Sequence, residues 1–470
     1  MMKKDIHIKF EKMIKLCGLL LISASLILPS CTDSEDLLDK EVKTTSIDDV
    51  FSNASLAEQA MAQLYAGLTP VLPTRDPGDG MRFGGNYPLD LATVDGSPSA
   101  VNSMADKFNQ AAYTEDWDSY PANDKTPMRD IWNYKRIRNA WIYLENLERI
   151  PLDPDNNFTQ EVKNQRRGEA KFLIAFFYHE MLRLFGGVPL INRTYNLDEL
   201  ETVIPRATFD QTVVYIVKLL DEAAADLPIN TSNANNGRAT RGAALALKSR
   251  ILLYAASPLW NNPEKPKDSP FRGAYSADKW KIAAQAAKDV IALKKYSLYG
   301  TLSDMFMVQG DLNPEFIFVR SNRQGSYTTQ VSIPNKLYNN NAATEAGIWN
   351  VTFNLLREYD VIYNGKAYSP DDPELKALGY NPEVDPYKNR DPRFYRDFLF
   401  NGARFRNKTV VVGKKTGSYS PVHNPSPQSL SNLTYVFWVK FADREIEIVD
   451  YKQISARSQN FPYIRYAEIL

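Results

Sequence analysis

The run Arg166-Arg167-Gly168-Glu169-Ala170-Lys171-Phe172-Leu173-Ile174-Ala175-Phe176-Phe177-Tyr178-His179-Glu180-Met181-Leu182-Arg183-Leu184-Phe185-Gly186-Gly187-Val188-Pro189-Leu190-Ile191 reads as one helix with a hard stop. Apolar residues at 170, 173, 177, 181 and 184 keep the three-and-four spacing of one helical face. Phe172, Ile174, Phe176 and Phe185 extend apolar surface round most of the circumference, so this helix is expected to be buried on more than one side. Gly186 and Gly187 can adopt the left-handed backbone that closes a helix C-terminus, and Pro189 blocks any continuation.

Further helices are expected on both sides of it. Residues 54–69 keep helical spacing until Gly67 and Pro70, and 128–150 carry Ile131, Tyr134, Ile137, Trp141, Leu144 and Leu147 on one stripe. Beyond the central run, Thr208 followed by Gln211 is a capping-box start for a helix over 209–227, with Phe209, Val213, Ile216, Leu220 and Ala223 on its face. Residues 241–256 are rich in alanine, which permits close helix approach, and 277–294 carry Trp280, Ala283, Ala287, Val290 and Ile291. Small and aromatic residues spread along paired helices of this length suit tetratricopeptide-like stacking, in which each pair buries its face against the next. The expected fold is mostly α. Trp132, Trp141, Trp260 and Trp280 lie on or beside these helix faces and are expected in the core.

Two regions depart from helical patterning. Residues 70–127 dissolve into Pro, Gly, Asp and Asn, and so long a loop inside a compact body tends to be functional. From about 300 the texture changes to short strand-like runs, Phe316–Val319, Thr409–Val412 and Tyr435–Val439, separated by turn-rich loops. Residues 461–470 are read as the start of another amphipathic helix.

With 470 residues, 56 Lys and Arg against 56 Asp and Glu, the chain has no basic excess to attract nucleic acid. Tyr (26) outnumbers Phe (22), which suits partly wet surfaces as well as core. A lysine-bearing start ends at Lys15 and is followed by a short apolar run, Leu16–Leu28, right for the core of an export signal and short for a membrane span. Leu28-Pro29-Ser30-Cys31 resembles a bacterial lipobox, which makes Cys31 the expected lipidation site. The other cysteine, Cys17, lies within the signal, so no thiol is left for a disulfide. The acidic run Thr32-Asp33-Ser34-Glu35-Asp36 is either a solvated tether or similar to the surface-export signal of Bacteroidetes lipoproteins.

Enzyme signatures are sparse. His179-Glu180 lacks the second histidine of a zinc-protease helix, and neither a Gly-x-Ser-x-Gly elbow nor a phosphate-binding glycine loop occurs. His179 is therefore expected to be a packed or rim residue. Two facing carboxylates could still make a glycosidase, a separation that sequence does not give.

Taken in order, these landmarks resemble the SusD/RagB family of outer-membrane nutrient-binding lipoproteins. The matching pieces are Cys31; Tyr134, Ile137, Leu144 and Asn146; the central run from Arg167 and Glu169 to Phe185, Gly186, Val188 and Pro189; Arg206-Ala207-Thr208; Ala224-Ala225-Asp226-Leu227-Pro228; Arg241-Gly242-Ala243-Ala244; Arg390-Asp391-Pro392-Arg393-Phe394; and Arg465-Tyr466-Ala467-Glu468. Trp141 stands where many members carry asparagine, and members continue well past the last of these motifs, so the C-terminal end is expected to be missing. The resemblance implies four tetratricopeptide-like helix pairs beside an irregular loop and small-hairpin lobe. It also implies capture of an oligosaccharide at the cell surface and delivery to a partner SusC-like TonB-dependent outer-membrane transporter, with no catalysis and no cofactor. The helical array is the implied face for that partner. The same scaffold taking peptides or other nutrients, and a helical lipoprotein with glycoside hydrolase activity, stay open as alternatives.

The expected organisation is a lipoprotein signal over 1–30, an acidic tether over 31–50, a helical region over 51–300 with the loop 70–127, a loop-rich lobe over 301–460, and a truncated helix start over 461–470. Glycan binding needs flat aromatic faces to stack on sugar rings and polar groups to bond the hydroxyls. Trp117, Tyr120, Tyr338 and Trp349 in the two loop-rich regions, with Arg82, Asn86 and Asp95 as polar partners, are the candidate contacts.

Overall fold

The computed structural model describes residues 46–68, 93–98, 110–111, 132–196, 199, 204–230, 237–302, 304–306, 313–321, 349–381, 384, 386–405, 408–409, 436–440 and 460–470. The described residues up to Val50 and those from Phe51 onward belong to two separate units. At the boundary, where a tether is expected, Ile47–Phe51 forms a short helix, α1. The body that follows has helices α2 (Ala54–Ala66), α3 (Tyr134–Asn146), α4 (Gln160–Phe185), α5 (Phe209–Asp226), α6 (Arg241–Ala256) and α7 (Asp278–Ala292). From α3 to α7 each helix packs on the one before it, and α2 lies against α3 and α4. This is the helix-on-helix stacking expected of a tetratricopeptide-like array.

Helix α4 is the hub. Thr159 caps it through Val162 N–H (3.3 Å), and from Gly168 to Leu182 every residue except Lys171 is buried. Burial on all sides follows from its neighbours: α3 covers one flank, α5 another, and Phe318 and Tyr463 from the strands described below set their rings edge-on to Phe172 and Phe176. Its stop is not a left-handed helical residue. Gly186 has φ 72 and ψ −138, a region that only glycine occupies comfortably. Arg206 then turns back on the helix end, donating to the carbonyls of Gly187 (2.5 Å) and Phe185, while its guanidinium lies over the Phe271 ring at 4.6 Å. Arginine suits that place because the last carbonyls of a helix are unpaired and carry partial negative charge. Two residues on, the capping box forms as read: Thr208 Oγ1 accepts from Gln211 N–H and Gln211 Oε1 from Thr208 N–H.

Three expectations within the array are corrected. The buried stripe of α3 is Ile137, Ala140 and Tyr143, continued by Leu147, while Trp141 and Leu144 are half-buried. Trp141 instead pins the chain beyond α4, its indole N–H donating to the Ile191 carbonyl at 3.0 Å. Trp132 and Trp280 are not core: they are 49% and 50% exposed. Trp132 precedes α3 and rests edge-on against Phe185, and α7 meets α6 through the small residues Ala283 and Ala286 with Val290, leaving Trp280 outward.

The remainder is loops tied by small sheets. β1 (Gly96–Pro98), β3 (Trp349–Val351), β9 (Phe437–Trp438) and β6 (Phe398–Leu399) make a four-stranded sheet in that spatial order. β4 (Val361–Tyr363) pairs with β5 (Lys366–Tyr368), and β7 (Arg404–Phe405) with β8 (Lys408–Thr409). β2 (Phe316–Ser321) pairs with β10 (Asn460–Arg465), so residues 460–465 are a strand and not the helix start expected from 461. Pro462 and Ile464 are buried while their neighbours Phe461 and Tyr463 are only partly so, which is the period of a strand. Helix resumes only as the single turn α11 (Tyr466–Ile469). Between these sheets lie α8 (Phe353–Arg357), α9 (Pro373–Ala377) and α10 (Pro392–Asp397).

The Arg390-to-Phe394 motif is explained by α10. Asp391 caps it by accepting from Arg393 N–H at 2.8 Å, and Pro392 opens it. Arg390 is buried with no carboxylate bonded to it among the described residues, its guanidinium donating to the carbonyls of Pro386 (2.7 Å), Tyr359 (2.6 Å) and Leu356 and lying over Phe394 at 4.6 Å. Burial holds that guanidinium below its usual range.

Candidate functional site

The four-stranded sheet is where the two loop-rich regions meet. β1 comes from the first region and β3 from the second, and they pair antiparallel with Gly96 opposite Val351, Ser97 opposite Asn350 and Pro98 opposite Trp349. Proline fits there because β1 is an edge strand. The Asp95 carbonyl accepts from Thr352 N–H at 3.1 Å, and Thr352 Oγ1 donates to the carbonyl of Val94, so the ladder is tied off just beyond its last pair. Asp95 is exposed, and its position and that of Trp349 are three steps apart on this ladder, about 10 Å. Of the sequence candidates these two therefore share one short piece of sheet. Trp117, Tyr120, Tyr338, Arg82 and Asn86 lie outside the described residues, as does Cys31.

At the opposite edge of the same sheet is a cleft of about 400 Å³ that sequence reading did not single out. Its walls hold Tyr299, Tyr359, Arg393, Arg396, Lys440 and Arg465 together with Glu315, Glu358 and Asp397. These side chains come from the loop after α7, from α10, from the turns beside α8 and β9, and from one end of the antiparallel β2–β10 pair, where Glu315 precedes β2 and Arg465 ends β10. Their scatter along the chain explains why no motif announced them; only Arg393 and Arg465 lie in motifs already quoted. Asp397 is buried and accepts from Arg396 Nε (2.5 Å), Arg396 Nη2 (2.8 Å) and the Tyr359 hydroxyl (2.9 Å). Burial and the neighbouring Asp397 carboxylate push the Tyr359 phenol well above its ordinary range. Glu315, also buried, accepts from Arg465 Nη1 at 2.9 Å and from Tyr299 N–H at 3.0 Å.

His179 belongs to the packing of α4. It is buried, with Nδ1 3.3 Å from Glu180 Oε1 but making no hydrogen bond, and burial lowers its proton affinity so that the ring is held neutral. Burial acts to raise the Glu180 pKa, but the Arg183 guanidinium, donating to Oε2 at 2.9 Å, opposes it, and the group is held below its usual range. Among the described residues no group of three or more His, Cys, Asp or Glu side chains is placed to hold a metal ion.

Comparison with known proteins agrees with this architecture. A family model described as "Starch-binding associating with outer membrane" matches residues 39–253, and one described as "SusD family" matches 314–470. The chain belongs to the SusD/RagB family. A SusD-like protein of Formosa agariphila is 21% identical over 295 residues, which cover 62% of this chain and 49% of the relative, so the match spans about half of that protein. Among solved structures, a SusD-like protein of Bacteroides fragilis aligns with a TM-score of 0.64 at 21% identity over 90% of this chain and 74% of the other. A SusD-like carbohydrate binding protein of the same organism gives 0.65 at 22% over 89% and 73%. A laminarin binding SusD-like protein gives 0.54 at 19% over 89% and 79%. These structures share the SusD/RagB fold, a helical array beside a loop-rich lobe. Among the described residues, the motifs by which the family is recognised sit in the array, in α10 and at the β10–α11 junction.

Proposed function

We propose that this protein captures oligosaccharides at the cell surface and delivers them to a SusC-like TonB-dependent transporter, itself catalysing nothing. The observation that supports the reading is the β1–β3 ladder, which pairs Gly96–Pro98 of the first loop-rich region with Trp349–Val351 of the second. Family membership supplies the class of ligand, since relatives of the same fold are described as carbohydrate and laminarin binding. Trp117, Tyr120, Tyr338 and Trp349 supply the ring faces in this reading, and Arg82, Asn86 and Asp95 the rim hydrogen bonds. Cys31 carries the lipid that holds the protein at the outer membrane, facing outward. Among the described residues no helix is long and apolar enough to cross a membrane.

Calorimetric titration with a panel of oligosaccharides tests the ligand class. Replacing Trp117 and Trp349 together with Ala is expected to weaken the best ligand at least about tenfold, the loss expected for truncating a central aromatic anchor. Unchanged affinity would remove both from the site. Cys31→Ala is expected to move the protein from the membrane fraction to the soluble one, and persistence in the membrane would refute the anchor.

A further inference from the structure

The cleft beside β6 concentrates positive charge round one ring. Phe306 is buried, and the Arg396 guanidinium, the Lys440 amine and the Arg465 guanidinium lie 5.5, 5.3 and 5.3 Å from its centroid. Nη1 of Arg396 and Nη1 of Arg465 approach the same Met305 sulfur, at 3.4 and 3.9 Å. Like charges gathered this closely repel unless something neutralises them. The two buried carboxylates answer in part. Asp397 is wholly engaged by Arg396 and Tyr359, and Glu315 by Arg465 and the Tyr299 amide. Each therefore fixes one guanidinium from beneath. At the rim the exposed Arg393 forks onto Asp391 (2.9 and 2.7 Å), and Glu358 is exposed.

Arg465 is the group left incomplete. Its Nε and Nη2 have no hydrogen-bond partner among the described residues, although the side chain is about three-quarters covered and lines the cleft. Burial and the like charge of Arg396, opposed by Glu315, hold this guanidinium below its usual range, as an added anion would relieve. A guanidinium edge with two parallel N–H groups matches a planar carboxylate. Tyr299 and Tyr359 line the same walls.

We propose that this cleft takes the carboxylate of an acidic sugar, a uronate unit of the bound saccharide, with Arg465 as its principal partner and Lys440 and Arg396 completing the cationic wall. The inference rests on the glycan reading above and narrows it to uronate-bearing ligands. The test titrates the full chain with a uronate oligosaccharide, the same oligosaccharide after reduction of its carboxyl groups, and a sulfated neutral oligosaccharide. The uronate form is expected to bind at least about tenfold more tightly than the carboxyl-reduced form, the size of one charge-assisted pairing. Arg465→Gln is expected to erase that preference while leaving the carboxyl-reduced affinity in place. Lys440→Gln, which keeps the Arg465–Glu315 pair, is expected to reduce the preference about threefold or more. Equal binding of the two forms, or a preference that survives both substitutions, overturns the cleft assignment and leaves glycan binding standing. Equal preference for the sulfated sugar overturns the carboxylate and shows a general anion site. Failure of every saccharide to bind overturns the glycan reading itself, and the inference with it.

Discussion

Gly186→Ala is expected to destabilise the protein by roughly 3 to 5 kcal/mol, from backbone strain and overpacking together. The residue sits at φ 72 and ψ −138, where a side chain is strained whatever space surrounds it. Space is also lacking: an added methyl group would lie 2.1 Å from the Pro270 carbonyl oxygen. The next glycine is as tightly placed, since a Cβ on Gly187 would lie 2.2 Å from the Ala207 oxygen and 2.7 Å from that of Thr208. Gly187 N–H donates to the Pro270 carbonyl at 2.6 Å, so the pair cannot back away without breaking the contact that holds the loop over the helix end. The measurement is the urea midpoint against wild type, with Gly300→Ala as control, because a Cβ there meets nothing within 4 Å. The control is expected within about 1 kcal/mol of wild type. A Gly186→Ala protein within about 1 kcal/mol of wild type would show that the close approach can relax, and that the glycines serve the helix stop alone.

That result bears on how the sequence is read. Gly186, Gly187 and Pro189 announce where α4 ends, and helical spacing announces that it is buried on several sides. Both follow from local rules, and so do the capping box at Thr208 and the span of α6. The segments that touch the glycines, 207–208 and 270, are separated from them along the chain, so close approach leaves no local trace. Periodicity fails for a related reason at Trp280: it counts apolar residues and cannot say that α7 meets α6 through its alanines. At 461–470 the apolar residues fit either period, and pairing with β2, more than a hundred residues earlier, selects the strand. The candidate site was legible as two loop-rich regions, and the β1–β3 register that joins them was not, because β1 is only three residues long and ends in proline. The cationic cleft was invisible throughout, since its arginines and lysine are common residues that acquire meaning only when gathered round Phe306.

Glu169→Ala is expected to cost about 3 to 5 kcal/mol, the loss found when one partner of a buried ionic cluster is removed. Glu169 comes from the same stretch of α4 and is buried, with Oε1 accepting from Arg166 Nη1 at 2.8 Å and Oε2 from Arg238 Nη1 at 2.7 Å. Glu58 on α2 closes the ring, binding Arg166 through Nε (2.5 Å) and Nη2 (2.9 Å) and Arg238 through Nη2 (3.1 Å). The cluster thus joins α2, α4 and the residues just before α6, with the buried Tyr143 ring beside it. Burial raises the Glu169 pKa although both arginines oppose it, which shows how far desolvation counts here. Two cations facing two anions are balanced; with Glu169 gone, the buried Arg166 and the partly buried Arg238 share Glu58 alone, and the inner side of the cluster is left without its carboxylate. Glu169→Gln keeps the shape and one acceptor, so it is expected to cost less than the alanine change. Removing Arg238 as well should recover part of the loss, because the cation left unmatched goes with it, and a double-mutant cycle on urea midpoints measures that recovery. A cost below about 1 kcal/mol for Glu169→Ala, or no coupling to Arg238, would mean that solvent enters the cluster and that packing of the apolar faces alone holds α2 and α6 on the central helix.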